Sequence, residues 1–205
     1  MNQEEVWDNI AEQWHNFRQM KFKPVYEFLE KYKPKKGKIL EIGCGNARNL
    51  IPFAKNGFEC YGVDFSKNML KKAKEYVQKN NVKIKLIRAD MLRLPFKDRE
   101  FDYVLSVASL HHVTDDKDSK KALSEMNRVL KKKGILLLTV WNKLQLRFLF
   151  RRKNIRMPWK IGDKVYFRNV HLFDYFELKK FVRKTGFGIL ESNIFGKNLV
   201  FVLRK

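Results

Sequence analysis

The chain predicts an α/β fold: a mostly parallel sheet of seven strands, helices on both faces, and a C-terminal antiparallel hairpin. Three observations point to it. Five short apolar runs alternate with helix-like segments, which implies crossover connections and a parallel sheet. Two further strand-like runs close the chain with no helix between them. No repeat, low-complexity stretch or Gly/Ser- or Pro-rich linker divides the 205 residues, so a single domain over 1–205 is expected.

Each element follows from local pattern. Residues 3–18 place Val6, Trp7, Ile10, Trp14 and Phe17 at helical spacing. "PVYEFLEKY" at 24–32 is a second helix, with Pro24 suited to its first turn. "GKILEIG" at 37–43 is the first strand, and "ARNLIPFAKNG" at 47–57 reads as a helix closed by Gly57. "FECYGVD" at 58–64 is a strand, and 66–80 is a helix capped by Ser66. "VKIKLIR" at 82–88 alternates with the period of a half-buried strand. "FDYVLSV" at 101–107, a helix at 118–130 and "GILLLTVW" at 134–141 continue the alternation. Residues 142–172 show no clear period. A helix at 174–185 precedes the hairpin "FGILESNI" and "NLVFVLRK".

Composition narrows the class. Hydrophobic residues make up 44%, a globular value, and no apolar run is long enough to span a bilayer. The N-terminus is acidic and amphipathic, unlike a signal peptide. Two cysteines make neither a disulfide framework nor a four-ligand zinc site, so a reduced, cytoplasmic protein off the membrane is expected. There are 44 Lys+Arg against 22 Asp+Glu, a formal charge of +22. Heat adaptation raises Lys and Glu together, so it does not explain the imbalance. Such a field attracts polyanions, nucleic acid first.

"ILEIGCGNARNL" carries the first chemistry. A strand runs into Gly43-Cys44-Gly45, where glycines permit a tight turn and close approach of a ligand to the main chain. The third glycine of a dinucleotide fingerprint is missing, since position 48 is arginine. Glu41 would repel a pyrophosphate. Asp64 ends the next strand, 19 residues after Gly45, a spacing suited to a carboxylate accepting from ribose hydroxyls. Asp90 ends the third strand in "RADMLRLPF".

Three acids at three successive strand ends, beside a glycine loop, resemble the class I S-adenosylmethionine-dependent methyltransferases, a Rossmann-like family. The resemblance implies that Glu41, Gly43, Cys44 and Gly45 hold the methionine part of S-adenosylmethionine. It implies that Asp64 takes the ribose hydroxyls and Asp90 the adenine amino group, with Met91 beside the ring. Phe65 and Ser106 join the cofactor set. An acidic, phosphate-free site suits a sulfonium cation. The family's third loop glycine is Ala47 here.

The likeness extends from about residue 5 to 202. "VWDNIAEQWHNFR", "SVASLHHV", "TVWN", "RMPWK" and "RNVHLF" occur in the order seen in the tRNA wobble-uridine carboxymethyl methyltransferases, which esterify 5-carboxymethyluridine. Asn169 and Val170 stand where that family often has tyrosines, and Met157 and Leu199 depart from it as well. The resemblance implies a tRNA anticodon loop as partner. It also implies a small zinc-binding activator subunit at the edge strand 82–88, although Lys83 and Lys85 are equally ordinary protection of an edge.

A carboxylate is already ionised at neutral pH, so its esterification needs no strong base. The enzyme must orient the carboxylate, a task for Arg or His donors. Arg18, His111, His112, Arg168 and His171 are the candidates, with Arg18 and His112 foremost. Adjacent extended histidines point to opposite faces, and no further His or Cys stands at ligand spacing, so no metal site is expected. The segment 142–171 has nine basic residues against Asp163 alone, interleaved with aromatics, a track for unpaired bases. The N-terminal helices, 3–32, are expected to cap the site. A small-molecule methyltransferase acting on a quinone precursor, or a non-catalytic RNA-binding module, are the rival readings.

Overall fold

Thirty-eight to 42 is where the sheet begins, and everything else is laid around that strand. The computed structural model describes residues 1–205. β1 (Lys38–Ile42), β2 (Glu59–Asp64), β3 (Ile84–Arg88), β4 (Phe101–Val107) and β5 (Leu130–Trp141) pair in parallel. β6 (Asn154–Ile161) and β7 (Lys164–His171) stand apart from this sheet, and β8 (Gly188–Asn193) and β9 (Asn198–Arg204) add the antiparallel hairpin to it. The order is β3-β2-β1-β4-β5-β9-β8, so β3 is an edge strand. The chain winds outward from β1 in one direction to β3 and then from β4 in the other. The crevice between the carboxyl ends of β1 and β4 is therefore the switch point at which ligands bind in such sheets.

Strand alternation sorts the core onto two faces. Leu40 and Ile42 pack with α5 (Asp116–Val129) and α6 (Tyr175–Lys184), through Leu123, Met126, Leu178 and Phe181. Ile39 packs on the other face with α2 (Lys23–Tyr32) and α3 (Ile51–Lys55), through Val25, Phe28 and Phe53. α4 (Lys67–Lys79) covers that face beyond β2, capped by Ser66 Oγ, which accepts from Met69 N at 3.0 Å. No helix is long and apolar enough to cross a membrane.

Two elements differ from the sequence reading. The helix expected over 47–57 spans only Ile51–Lys55, because Pro52 sits in its first turn and Ala47 takes a left-handed φ of +59°. The segment without a period contains a hairpin, β6 (Asn154–Ile161) and β7 (Lys164–His171), which forms its own two-stranded sheet. β6 alternates exposed and half-buried residues. Its signal is masked by the irregular residues before it and by Pro158, which this ribbon tolerates because each strand pairs on one side only.

α1 (Gln3–Phe17) is clasped between this hairpin and α4. Ile10 and Ala11 bury against Met69 on one side, with Trp159, Ile161 and Tyr166 packed on the same cluster. Gln3 donates to Phe167 O at 3.1 Å and accepts from Asn169 N at 2.8 Å. α1 and the hairpin together roof the carboxyl edge of the sheet.

Candidate active site

A cavity of about 460 Å³ opens at the switch point, beneath α1 and the β6–β7 hairpin. Its floor is two loops pressed together. Gly43 (φ +68°) follows β1, and a Cβ there would lie 2.5 Å from Ser109 Cβ in the loop after β4. Ser109 Oγ donates to Ile42 O at 2.8 Å, fixing one loop on the other. Trp14 of α1 closes over Gly45, where an added Cβ would meet its ring at 2.8 Å. The lid is latched to the same loop by Asn46 Nδ2, which donates to Arg18 O at 2.9 Å.

The floor supplies acceptors. Asp64 is buried, accepting from Gly45 N at 2.9 Å and Ser66 N at 3.0 Å. Burial pushes its carboxyl up to about 6, against those two hydrogen bonds and with the charge of Asp8 adding to the rise. Glu41 lies just behind the lining. Asn49 Nδ2 donates to its Oε1 at 2.7 Å, while Oε2 is buried with no partner. Burial raises this carboxyl to about 8, partly opposed by Asn49 and Arg48. Two desolvated carboxyls, one with an orphan oxygen, fit a ligand that brings positive charge and hydroxyl donors.

The roof supplies the opposite charge. Arg168 on β7 is 7% exposed, lines the cavity, and makes no hydrogen bond or ion pair with the protein through its side chain. Its guanidinium lies between two indoles, 4.8 Å from the Trp159 ring and 5.7 Å from Trp7. Burial, then the nearby Arg18, lowers its pKa to about 10. Trp159 is held by donating its Nε1–H to Gln13 at 2.5 Å. Arg18, at the C-cap of α1, lines the same cavity.

His111 and His112 lie in a 3-10 turn, Leu110–His112. The sequence reading sets them on opposite faces of an extended strand. In the turn both line the cavity with ring centroids 4.4 Å apart. Burial drives both neutral: His112 to about 4, and His111 well below the usual range with His112 and Arg168 adding to the drop. Their hydrogen bonds assign the tautomers. His112 Nδ1 donates to Asn169 O at 2.9 Å, so its Nε2 carries a lone pair. His111 Nδ1 accepts from Trp141 N at 3.4 Å, so its Nε2 carries the proton. His111 Nε2 is therefore a donor and His112 Nε2 an acceptor.

Gly43, Cys44, Gly45, Asp64, Phe65 and Met91 all line the cavity. Ser106 lies beneath it, its Oγ 2.9 Å from Ser109 Oγ. Asp90 is exposed outside the lining, accepting from Leu92 N at 2.9 Å. His171 is also outside, buried between Asn154 Oδ1 (2.7 Å) and Glu177 (3.3 Å). There His171, Glu177 and Asp116 converge, a cluster the sequence spacing does not reveal, and the Lys153 ammonium pairs with Glu177 beside them. Asn46, Arg48 and Asn49 line the cavity just past the glycine loop, where three polar residues were the overlooked signal. Lys197 reaches it from the β8–β9 turn with no sequence signal at all.

The comparisons with known proteins agree with this geometry. A family described as a methyltransferase domain matches residues 40–138. A protein of Encephalitozoon cuniculi, named as a methyltransferase without a substrate, is 29% identical over 97% of this chain and 93% of its own length. The tRNA (carboxymethyluridine(34)-5-O)-methyltransferase of Arabidopsis thaliana is 34% identical over 66% of this chain, which spans only 31% of that relative. The ubiquinone biosynthesis O-methyltransferase of Pelagibacter ubique is 30% identical over 71% of this chain and 67% of its own. Among solved structures, the complex of a Haloferax volcanii methyltransferase with its Trm112 activator shares the fold, with a TM-score of 0.78, 15% identity, and 99% and 97% of the two chains covered. The glycine loop at the switch point, the acidic floor and these relatives converge on one conclusion: the chain belongs to the class I methyltransferases, with S-adenosylmethionine as cofactor.

Proposed function

We propose that this methyltransferase esterifies the carboxylate of 5-carboxymethyluridine at the wobble position of tRNA, in the cytoplasm. The observation that carries the reading is the unpaired Arg168 guanidinium, buried in the cavity roof. A desolvated cation without a partner calls for an anionic ligand, and a carboxylate matches its planar fork. The cavity is thus bipolar, acidic toward the cofactor and basic toward the acceptor. The Arabidopsis relative bears this activity in its name.

S-adenosylmethionine supplies an electrophilic methyl on a sulfonium. Glu41 and the Gly43–Gly45 loop would hold its methionine part, Asp64 the ribose hydroxyls, and Asp90 with Met91 the adenine, with Phe65 alongside and Ser106 bracing the floor. Arg168, Arg18 and the His111 Nε2–H would fix the acceptor carboxylate, so no base is required and alignment is the main contribution. His112, through its lone pair, accepts from an N–H or O–H of the acceptor instead. Trp7 and Trp159 exclude water from Arg168, which strengthens its attraction. His171 acts as a structural tie of β7 to α6. The N-terminal helices 3–32 cap this site within one domain over 1–205, and the basic stretch 142–172 tracks the RNA backbone. A small zinc-binding activator subunit is the partner suited to the free edge of β3.

The test supplies labelled cofactor and bulk tRNA lacking wobble esters, with and without an activator subunit. Label that enters tRNA and is released by mild base is the expected result. Base-stable label, or transfer only to quinone-like small molecules, overturns the reading.

A further inference from the structure

Six cations line the cavity: Arg18, Lys21, Arg48, Arg147, Arg168 and Lys197. Asp64 is the one acid among the lining residues. None of the six forms an ion pair, although lysines and arginines elsewhere pair repeatedly. Four of them, Arg18, Lys21, Arg147 and Lys197, are exposed, and Lys21, Arg147 and Lys197 stand at the mouth on two separate rims.

One rim is built where the chain after β5 meets the β8–β9 turn. Asn142 Nδ2 donates to Ile194 O at 2.9 Å and Gly196 O at 3.1 Å, which fixes the turn. Gln145 then joins the two basic residues. Its Nε2 donates to Lys197 O at 2.7 Å, and its Oε1 accepts from Arg147 Nε at 3.0 Å. The Arg147 guanidinium lies over Phe148 at 4.4 Å and Trp141 at 5.1 Å, so its planar group is oriented before any ligand arrives. The other rim is the connection from α1 to α2. Arg48 Nη1 donates to Met20 O at 3.1 Å there, setting Lys21 at the mouth.

We propose that these rims form a two-sided phosphate clamp, with Arg147 and Lys197 on one phosphodiester of the acceptor nucleotide and Lys21 on the other. This rests on the reading of the acceptor as a nucleotide within RNA. A nucleotide swung out of its stack brings its base into the cavity and leaves its two phosphates at the mouth. Uncompensated cations there attract phosphates, whereas a free nucleoside offers them nothing. The clamp makes the enzyme select a strand over its monomer, and Gln145 is its positioning residue.

The experiment measures binding of a fluorescent anticodon stem-loop bearing 5-carboxymethyluridine to the full chain across a salt series, with esterification assayed on the same RNA and on the free nucleoside. R147Q/K197Q, K21Q and Q145A are compared with the wild type, and cofactor affinity reports folding. Lys197 and Lys21 are exposed, so K197Q and K21Q alone keep the test valid if the double variant misfolds. The expected result is weaker RNA binding, about tenfold for the double variant. The salt slope should fall by about 0.7 per lost phosphate contact, the value for single strands. Wild-type binding and slope in the variants overturn the clamp, as does equal kcat/KM for stem-loop and nucleoside. If no ester forms on either substrate while the variants still lose RNA affinity and slope, the acceptor assignment fails and the clamp stands. If the ester forms and the variants bind normally, the clamp fails and the acceptor assignment stands.

Discussion

Arg168 is held in place at a cost to the fold. A guanidinium that is 7% exposed and lacks an acceptor is less stable buried than hydrated, as the fall of its pKa to about 10 indicates. R168M should therefore raise the unfolding free energy by about 1 kcal/mol, the usual scale for relieving such a site, while kcat/KM for the carboxylate acceptor falls about 100-fold. Denaturant titration and steady-state kinetics read the two effects, and a variant that is both less stable and fully active refutes the assignment. The floor carboxyls make the opposite demand on pH. Asp64 and Glu41 lie above their ordinary 3.8 and 4.5, at about 6 and about 8. The native chain therefore holds more protons than the unfolded chain between those values, so their contribution to stability declines as pH rises through that window. A cationic ligand favours the ionised forms. S-adenosylmethionine should bind more tightly from pH 6 to 8 and release about one proton at pH 7. Calorimetry in two buffers of different ionisation enthalpy measures this, and E41Q should abolish most of the release.

Among the elements, α1 depends on contacts that its own sequence does not announce. Asp8 Oδ1 accepts from Ser66 Oγ at 2.6 Å and from Asn68 N at 3.0 Å. It thus caps the first turn of α4 from another helix, alongside the cap that Ser66 provides. D8A removes both contacts and should lower stability by about 1 kcal/mol in chemical denaturation, with D8N losing less because the amide oxygen still accepts. The same variant should speed cofactor release, since the tie runs on through Ser66 N to Asp64. Legibility varied between elements for a physical reason. Strands β1, β2, β4 and β5 pack on both faces and read as apolar runs, whereas the edge strand β3 reads by its alternation. β6 sets Ile155, Met157, Trp159 and Ile161 on its half-buried face in alternation, but Pro158 and the irregular residues before it hide that period. α3 shortened because Pro52 and a left-handed Ala47 stop the helix short of the loop that Asn46 and Asn49 serve.

At the scale of the whole molecule, the +22 charge is unevenly used. Glu5, Asp8 and Glu12 sit on α1, where they cap or pair, whereas the cations at the cavity mouth have no acidic partner. The composition predicts a polyanionic partner, and only the assembled rims indicate where the strand would lie. The sequence by itself determined the alternation of strands and helices, the glycine loop with Asp64 following it, and the position of the histidine pair beyond a strand end. Each of these is local, set by side-chain periodicity or by a spacing within one βα unit. The tertiary structure decided which of the predicted donors line the cavity. Arg168 and Arg18, 150 positions apart, reach one cavity because α1 and the hairpin close over the same sheet edge. His171, three residues after Arg168, is turned away to Glu177 by the pleat of β7. A hydrogen bond to Asn169, from a distant strand, chooses the tautomer of His112 and leaves its Nε2 as an acceptor. Such choices depend on long-range packing, which periodicity does not encode.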